Sequence, residues 1–183
     1  MNVAVVDYGA GNTRSVLAAL RHVGLEGEVT SDPFAVLGAA RVILPGVGSA
    51  RSAMEHLRAT GVDEALRKRH RVGDPILGIC LGLQLAMTTS EEDGGVETLN
   101  LCAGEVTHLG VERVPRLGWA LVEPWGETFY FAHSFAANSP YAVAFSEGVT
   151  AAVEAGSFLG VQFHPEKSGP VGLEWLERCL TNA

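Results

Sequence analysis

Cysteine is scarce in this chain: three in 183 residues. Cys80, Cys102 and Cys179 are an odd, scattered set with no CxxC pair. They suit neither a disulfide framework nor a zinc site, and no metal or cofactor is expected. A reducing, cytoplasmic setting is the expected one. Positive charge is scarce too, 13 Lys and Arg against 21 Asp and Glu, for a formal net charge of −8. A nucleic-acid face would need a dense basic patch, so no nucleic-acid partner is expected. The one basic cluster, Arg67 to Arg71, follows an apolar periodic stretch and reads as a solvated helix end, where cations suit the dipole. No apolar run approaches the ~18 residues of a membrane span. The opening MNVAVVDYG lacks the basic and apolar segments of a signal peptide.

Hydrophobic residues make up 47% of the chain, enough for a sizeable core. The length suits one domain, read as residues 1–183. The first ninety residues alternate buried β-branched runs with helical spacing. Strands are expected at 2–7, 28–30, 40–46 and 75–80, and helices at 13–23, from Pro33, at 52–58, at 62–70 and from Leu81. This alternation predicts an α/β fold with a mostly parallel sheet flanked by helices. After about Leu99 strands dominate, at 106–109, 119–123, 128–132, 141–146, 151–155 and 158–163, some of them antiparallel, so the central sheet is mixed. A helix over 168–180 closes the chain.

The stretch Gly78-Ile79-Cys80-Leu81-Gly82-Leu83-Gln84 has the form of a nucleophile elbow with cysteine at its tip. Glycines two before and two after remove side chains that would clash in so sharp a strand-to-helix turn. The tip lies at the carboxyl end of the sheet, where ligands bind in open α/β folds, and faces a helix N-terminus that favours thiolate. A thiol nucleophile needs a base and a group to orient it. In GVQFHPEKS (160–168), His164 and Glu166 are two apart and would share a face of an extended chain. Pro165 biases His164 toward that conformation. Alone, a cysteine in a packed turn and a surface His-Pro-Glu are common structural features; together they read as a triad. Of the other histidines, His22, His56 and His70 read as solvent-facing on helices, and His108 as a strand residue among apolar neighbours. Gly9-Ala10-Gly11 after the first strand hints at a dinucleotide loop, but GxGxxG would need glycine where Arg14 stands.

With GICLGLQ and VQFHPEKS, the opening DYGAGN, LPGVGSA, VPRLGW (114–119) and YFAHSF (130–135), nearly the whole chain resembles the class I (triad) glutamine amidotransferases, with their flavodoxin-like fold. More narrowly it is similar to the glutaminase subunits of imidazole glycerol phosphate synthase, from histidine biosynthesis. The resemblance implies that Cys80 attacks the side-chain amide of glutamine, that His164 serves as acid and then base, and that Glu166 orients it. It implies an oxyanion held by the N–H of Leu81 and one from Gly46, Val47 or Gly48. Gln84, His133, Ser134 and Phe135 match glutamine-binding positions. Asn12, Trp119 and Lys167 match positions near the interface with a cyclase subunit, which would receive ammonia and form imidazole glycerol phosphate and aminoimidazole carboxamide ribotide. Where the family carries VPHMGWN this chain has VPRLGWA, with Arg116, Leu117 and Ala120, and Phe135 stands where tyrosine is usual. Other readings remain: a glutaminase subunit of another class I enzyme, a different cysteine hydrolase on the same fold, or a non-catalytic binding subunit.

Overall fold

Asn2-Val3-Ala4-Val5-Val6 has no polar face, and all but its first residue is buried in strand β1 (Asn2–Val6). The computed structural model describes residues 2–10, 12–110 and 114–181. Gly11 of the glycine turn lies outside them. After β1 come α1 (Thr13–His22), β2 (Glu26–Thr30), α2 (Pro33–Gly38), β3 (Arg41–Leu44), α3 (Ala50–Thr60), α4 (Val62–Val72), β4 (Ile76–Ile79) and the short α5 (Leu81–Leu85). The second half holds β5 (Thr89–Ser90), β6 (Val96–Glu97), β7 (Glu105–His108), β8 (Arg116–Val122), β9 (Glu127–His133) and β10 (Phe135–Asn138). It ends with β11 (Ala142–Ser146), β12 (Val149–Ala155), β13 (Phe158–Val161) and α6 (Gly169–Thr181).

Local chemistry fixes the helix ends. Asp32 accepts from the N–H of Phe34 at 2.9 Å ahead of Pro33, an N-cap with proline in the first turn. Ser49 accepts from Ser52 at 3.3 Å to cap α3. Gly61, at φ +76°, ends α3 and starts α4.

The main sheet has seven strands in the order β11-β12-β13-β4-β3-β1-β2. The run from β13 to β2 is parallel, while β12 and β11 pair antiparallel at one edge. This is the expected mixed α/β architecture, and its parallel part has the 2-1-3-4-5 order of flavodoxin-like folds. Two smaller sheets, β10-β7-β5-β6 and the β8-β9 ribbon, complete it. The strands β5, β6 and β10 went unread in the sequence.

Each face of the sheet carries its own core. Ala4, Val6, Val42 and Leu44 pack with Met54, Leu57 and Leu66 of α3 and α4. Val3, Val5, Ile43 and Ile79 pack on the other face with Leu20, Phe129, Phe131, Phe163, Trp175 and Leu176. There Phe129 and Phe163 stack with ring centroids 4.0 Å apart, and Trp175 meets Phe163 edge-on at 5.3 Å. This aromatic block binds β9 and α6 to the segment leading into His164.

The basic cluster is corrected by the structure. Arg69 is 1% exposed, not solvated. Its Nη1 donates to the carbonyls of Val36 (3.0 Å), Leu37 (3.3 Å) and Ala39 (2.8 Å), and its Nη2 to Pro75 (3.2 Å). The guanidinium fork thus closes the end of α2 and ties it to the start of β4, a job that a periodicity argument does not reveal. Arg69→Met fills the volume but strands those carbonyls, so it should lower the urea-unfolding free energy by roughly 3 kcal/mol. A loss below about 1 kcal/mol would contradict this role. Of the helical histidines, His22 is exposed, but His56 and His70 are half-buried, and His70 Nδ1 meets Ser157 Oγ at 3.3 Å. His108 is exposed, edge-on to Phe135.

Candidate active site

Because β4 ends at Ile79 and α5 begins at Leu81, Cys80 makes the turn alone, at φ 51° and ψ −103°. A non-glycine residue there is strained and persists only where its surroundings fix it. The N–H of Cys80 donates to Val161 at 2.7 Å, and the glycines let three backbone segments close around it. A Cβ on Gly82 would lie 1.9 Å from the Leu44 carbonyl oxygen, and one on Gly46 would lie 2.2 Å from both Ile79 O and Leu81 N. The Pro45–Gly48 loop is therefore pressed against the elbow. Gly48, at φ +111°, makes its exit.

His164 is extended, as its place before proline requires, but Glu166 reaches it by another route than the shared strand face expected. The strand β13 stops at Val161, and Pro165–Lys167 form a 3₁₀ turn that brings the carboxylate back under the ring. His164 Nδ1 meets Glu166 Oε1 at 2.9 Å, with both side chains 1% exposed. The Cys80 side chain is close enough to the ring for its charge to favour the protonated imidazole. The ring's backbone is clamped as well: His164 N–H donates to Tyr130 O at 2.9 Å, and Ser168 Oγ donates to His164 O at 2.6 Å.

Burial opposes the charged form of His164, but hydrogen bonds and charge attraction from Cys80 and Glu166 outweigh it and raise its pKa to about 9. His133 goes the other way. Burial dominates, Arg116 and His164 add repulsion, and the pKa falls to about 4 despite the Phe135 carbonyl 2.9 Å from Nδ1. Its Nε2 is buried with no partner among the described residues. The two histidines have opposite linkage. The contribution of His164 is complete below its unfolded value of 6.5 and is lost as pH rises through about 9. His133 costs stability as pH falls from 6.5 toward about 4, because only the unfolded chain then takes the proton. His133→Gln should shrink the fall in urea-unfolding free energy between about pH 7 and pH 5 by about 2 kcal/mol. An unchanged slope would show that His133 is not held neutral.

A cleft of about 230 Å³ opens beside the sulfur, lined by Gly46, Val47, Gly48, Cys80, Leu81, Gln84, Glu92, Pro115, Ala132, His133, Ser134 and Phe135. All eight residues expected to bind glutamine are among them, though His133 turns Nδ1 to a backbone carbonyl. Of the expected interface residues, Trp119 is 57% exposed, with its ring beside Gly169, and Lys167 is exposed on the 3₁₀ turn. Asn12 instead reaches inward, its Nδ2 donating to Glu166 Oε1 at 3.2 Å. Among the described residues no cluster of three His, Cys, Asp or Glu is placed to hold a metal ion.

Residues 4–183 match the family profile described as glutamine amidotransferase class-I. The imidazole glycerol phosphate synthase subunit HisH of Carboxydothermus hydrogenoformans is 44% identical, over 94% of this chain and 96% of its own. That of Moorella thermoacetica is 41% identical, over 96% and 92%. The chain belongs to the class I glutamine amidotransferases. Within them it belongs with the HisH subunits. A solved glutamine amidotransferase superposes with a TM-score of 0.80 at 20% identity, covering 98% of this chain and 99% of the other, a likeness of fold.

Against that family's motifs, sequence reasoning passed over three residues at the site. Gln162, fully buried, sends its amide toward the Cys80 sulfur. Its only signal was a place two before His164. Tyr8 is 1% exposed and its hydroxyl donates to Pro45 O at 2.5 Å, anchoring the glycine loop. Glu92 lines the cleft from a 3₁₀ turn and accepts from the N–H of Ala50 at 2.8 Å. Nothing local in the sequence marks it. Burial pushes the Cys102 and Cys179 thiols up to about 12.

Proposed function

We propose that the chain, acting as one amidotransferase unit over residues 1–183, is the glutaminase subunit of a cytoplasmic imidazole glycerol phosphate synthase and works through Cys80, His164 and Glu166. The observation that carries the catalytic part is a strained Cys80 whose charge favours the protonated His164 ring, with Glu166 Oε1 2.9 Å from that ring's Nδ1. The sulfur, as thiolate, attacks the side-chain carbonyl carbon of glutamine and the C=O becomes a tetrahedral oxyanion. His164 gives its proton to the amide nitrogen, the C–N bond breaks and ammonia leaves a glutamyl thioester. A water then attacks the thioester carbon, passing a proton to His164, and the C–S bond breaks to release glutamate. Glu166 keeps the proton-bearing Nδ1 turned toward itself, so that Nε2 does the work.

The Leu81 N–H, at the start of α5, has no intrahelical partner and suits the oxyanion. The second donor would come from the Gly46–Gly48 loop. With its Pro45 carbonyl tied to Tyr8, that loop is held in one arrangement until something shifts it. The isolated chain should therefore hydrolyse glutamine poorly. Steady-state glutaminase rates with and without a cyclase subunit and its nucleotide substrate test this, and equal rates would sink the idea. The partner's docking face is supported by Leu117, Trp119 and Leu121, which alternate on β8 and are 64%, 57% and 49% exposed. Lys167 ends the turn that carries Glu166 and Trp119 lies beside Gly169 just after it, which supports a docking face adjoining the triad.

Glu92 is the one acid among the described residues lining the cleft, and it suits the α-ammonium group of glutamine. Glu92→Gln keeps an acceptor for Ala50 and removes the charge. The KM for glutamine should rise by about tenfold or more with a smaller change in kcat. An unchanged KM would remove Glu92 from the binding site.

A further inference from the structure

We propose that Gln162 is a catalytic residue for the reaction above, its side-chain amide donating to the Cys80 sulfur and favouring the thiolate. Gln162 Nε2 lies 3.5 Å from Sγ, inside the longer reach of hydrogen bonds to sulfur, and the side chain is fully buried. The orientation of the Gln162 amide follows from a backbone carbonyl, which can only accept. Gln84 Nε2 donates to the Phe135 backbone carbonyl at 2.8 Å, so the NH₂ of Gln84 is fixed there. Its other hydrogen points to Gln162 Oε1 at 3.2 Å. Gln162 therefore presents oxygen to Gln84 and NH₂ to the sulfur, since a flip would set NH₂ against NH₂. The relay Phe135–Gln84–Gln162–Cys80 ties the wall of the cleft to the nucleophile.

The donor matters because α5 is only five residues long and contributes little dipole. The thiol's own proton has a carbonyl to point at, Ala132 O at 3.9 Å, which serves the neutral form. Gln162 serves the charged one. The ionisable groups around the sulfur are His164 from the segment after β13 and Tyr8 from the loop after β1, with His133 of β9 and Glu92 lining the same cleft. Gln162→Met replaces none of these ionisable side chains.

This rests on Cys80 being the nucleophile, and the test separates the two claims. The rate of Cys80 alkylation by iodoacetamide is followed by peptide mass spectrometry across pH in the full chain and in Gln162→Met, alongside glutaminase activity. The pH of half-maximal alkylation should rise by about one unit, and kcat/KM below that pH should fall by roughly tenfold. A packing role would lower stability without moving that midpoint, so an unmoved midpoint in a folded Gln162→Met overturns the proposal. Should that variant not fold, the unaltered chain decides. The Gln162 side-chain N–H resonances should shift over the pH range in which Cys80 becomes alkylatable, and resonances that stay fixed overturn the proposal. The triad itself fails on a different result, Cys80→Ala retaining glutamine hydrolysis.

Discussion

Cys80→Ala should reduce glutamine-dependent turnover by a factor on the order of 10⁴ or more, to the background of the assay. Among the described residues that line the cleft, Cys80 alone carries a thiol, the group this route needs to form the thioester. Stability should change little, because alanine keeps the buried Cβ and the turn's hydrogen bond from the Cys80 N–H to Val161 is a backbone contact. Ammonia-dependent synthesis by a complex with the cyclase should survive, since ammonia supplied from outside bypasses the sulfur. The triad also makes a claim about additivity. Groups that act as one unit lose most of their effect when any one is removed. The double variant Cys80→Ala/His164→Ala should therefore be no slower than Cys80→Ala alone. A double variant slower by another factor of about 10² would mean that His164 works independently of the sulfur. Measurable glutamine-dependent product from Cys80→Ala, above a tenth of the native rate, would remove the thioester from the mechanism altogether.

Much of this arrangement could be read from residue order, for reasons that are local. The elbow is legible because its turn, its glycines and its cysteine are contiguous. The parallel strands are legible because burial on both faces strips them of polar residues, as in the run from Val3 to Val6. His164 and Glu166 are legible as partners through their spacing, yet the geometry that joins them is a 3₁₀ turn and not a strand face. A two-residue spacing has that double meaning. What stayed hidden depends on long-range closure. Arg69 looks like any helix-end cation until α2 and β4 bring four carbonyls to it. Gln162 looks like a polar strand residue until Gln84, 78 positions away, fixes its amide. Asn12 matched an interface position, but its side chain reaches Glu166 across 154 residues of chain. Short strands such as β5 and β6, two residues each, carry too few side chains for any periodicity to register.

The strain at Cys80 and the close approach of the glycine loop are one device, because the same backbone contacts enforce both. β3 runs into Pro45-Gly46, β4 runs into Cys80, and the two strands are paired in parallel from Val42 to Leu44. At their ends the carbonyl of Leu44 lies against Gly82 and the amide of Leu81 lies against Gly46. The two segments are therefore in close backbone contact at their ends. Thus the loop that would supply an oxyanion donor is registered to Cys80 by sheet pairing, and Tyr8 and Glu92 fix its two flanks at Pro45 and Ala50.

Gly82→Ala tests this coupling, with an expected loss of more than about 4 kcal/mol of stability. The added methyl would stand 1.9 Å from the Leu44 carbonyl oxygen, and the obstacle is backbone in the core of a paired strand, so no side chain can swing aside. Either β3 or the first turn of α5 must shift, and a shift of about 1 Å at the sulfur costs on the order of 10² in rate. Stability and activity should therefore fall together, and a variant stabilised enough to fold should still be slow. Gly38→Ala is the control. Nothing lies within 4 Å of its added methyl, and it should stay within about 0.5 kcal/mol and keep full activity. Unfolding in urea and steady-state glutaminase rates for both variants decide the matter. Native-like stability in Gly82→Ala would mean that the elbow has room the contact with Leu44 denies. Lost stability with native-like turnover would mean that the register between loop and nucleophile is not what sets the rate.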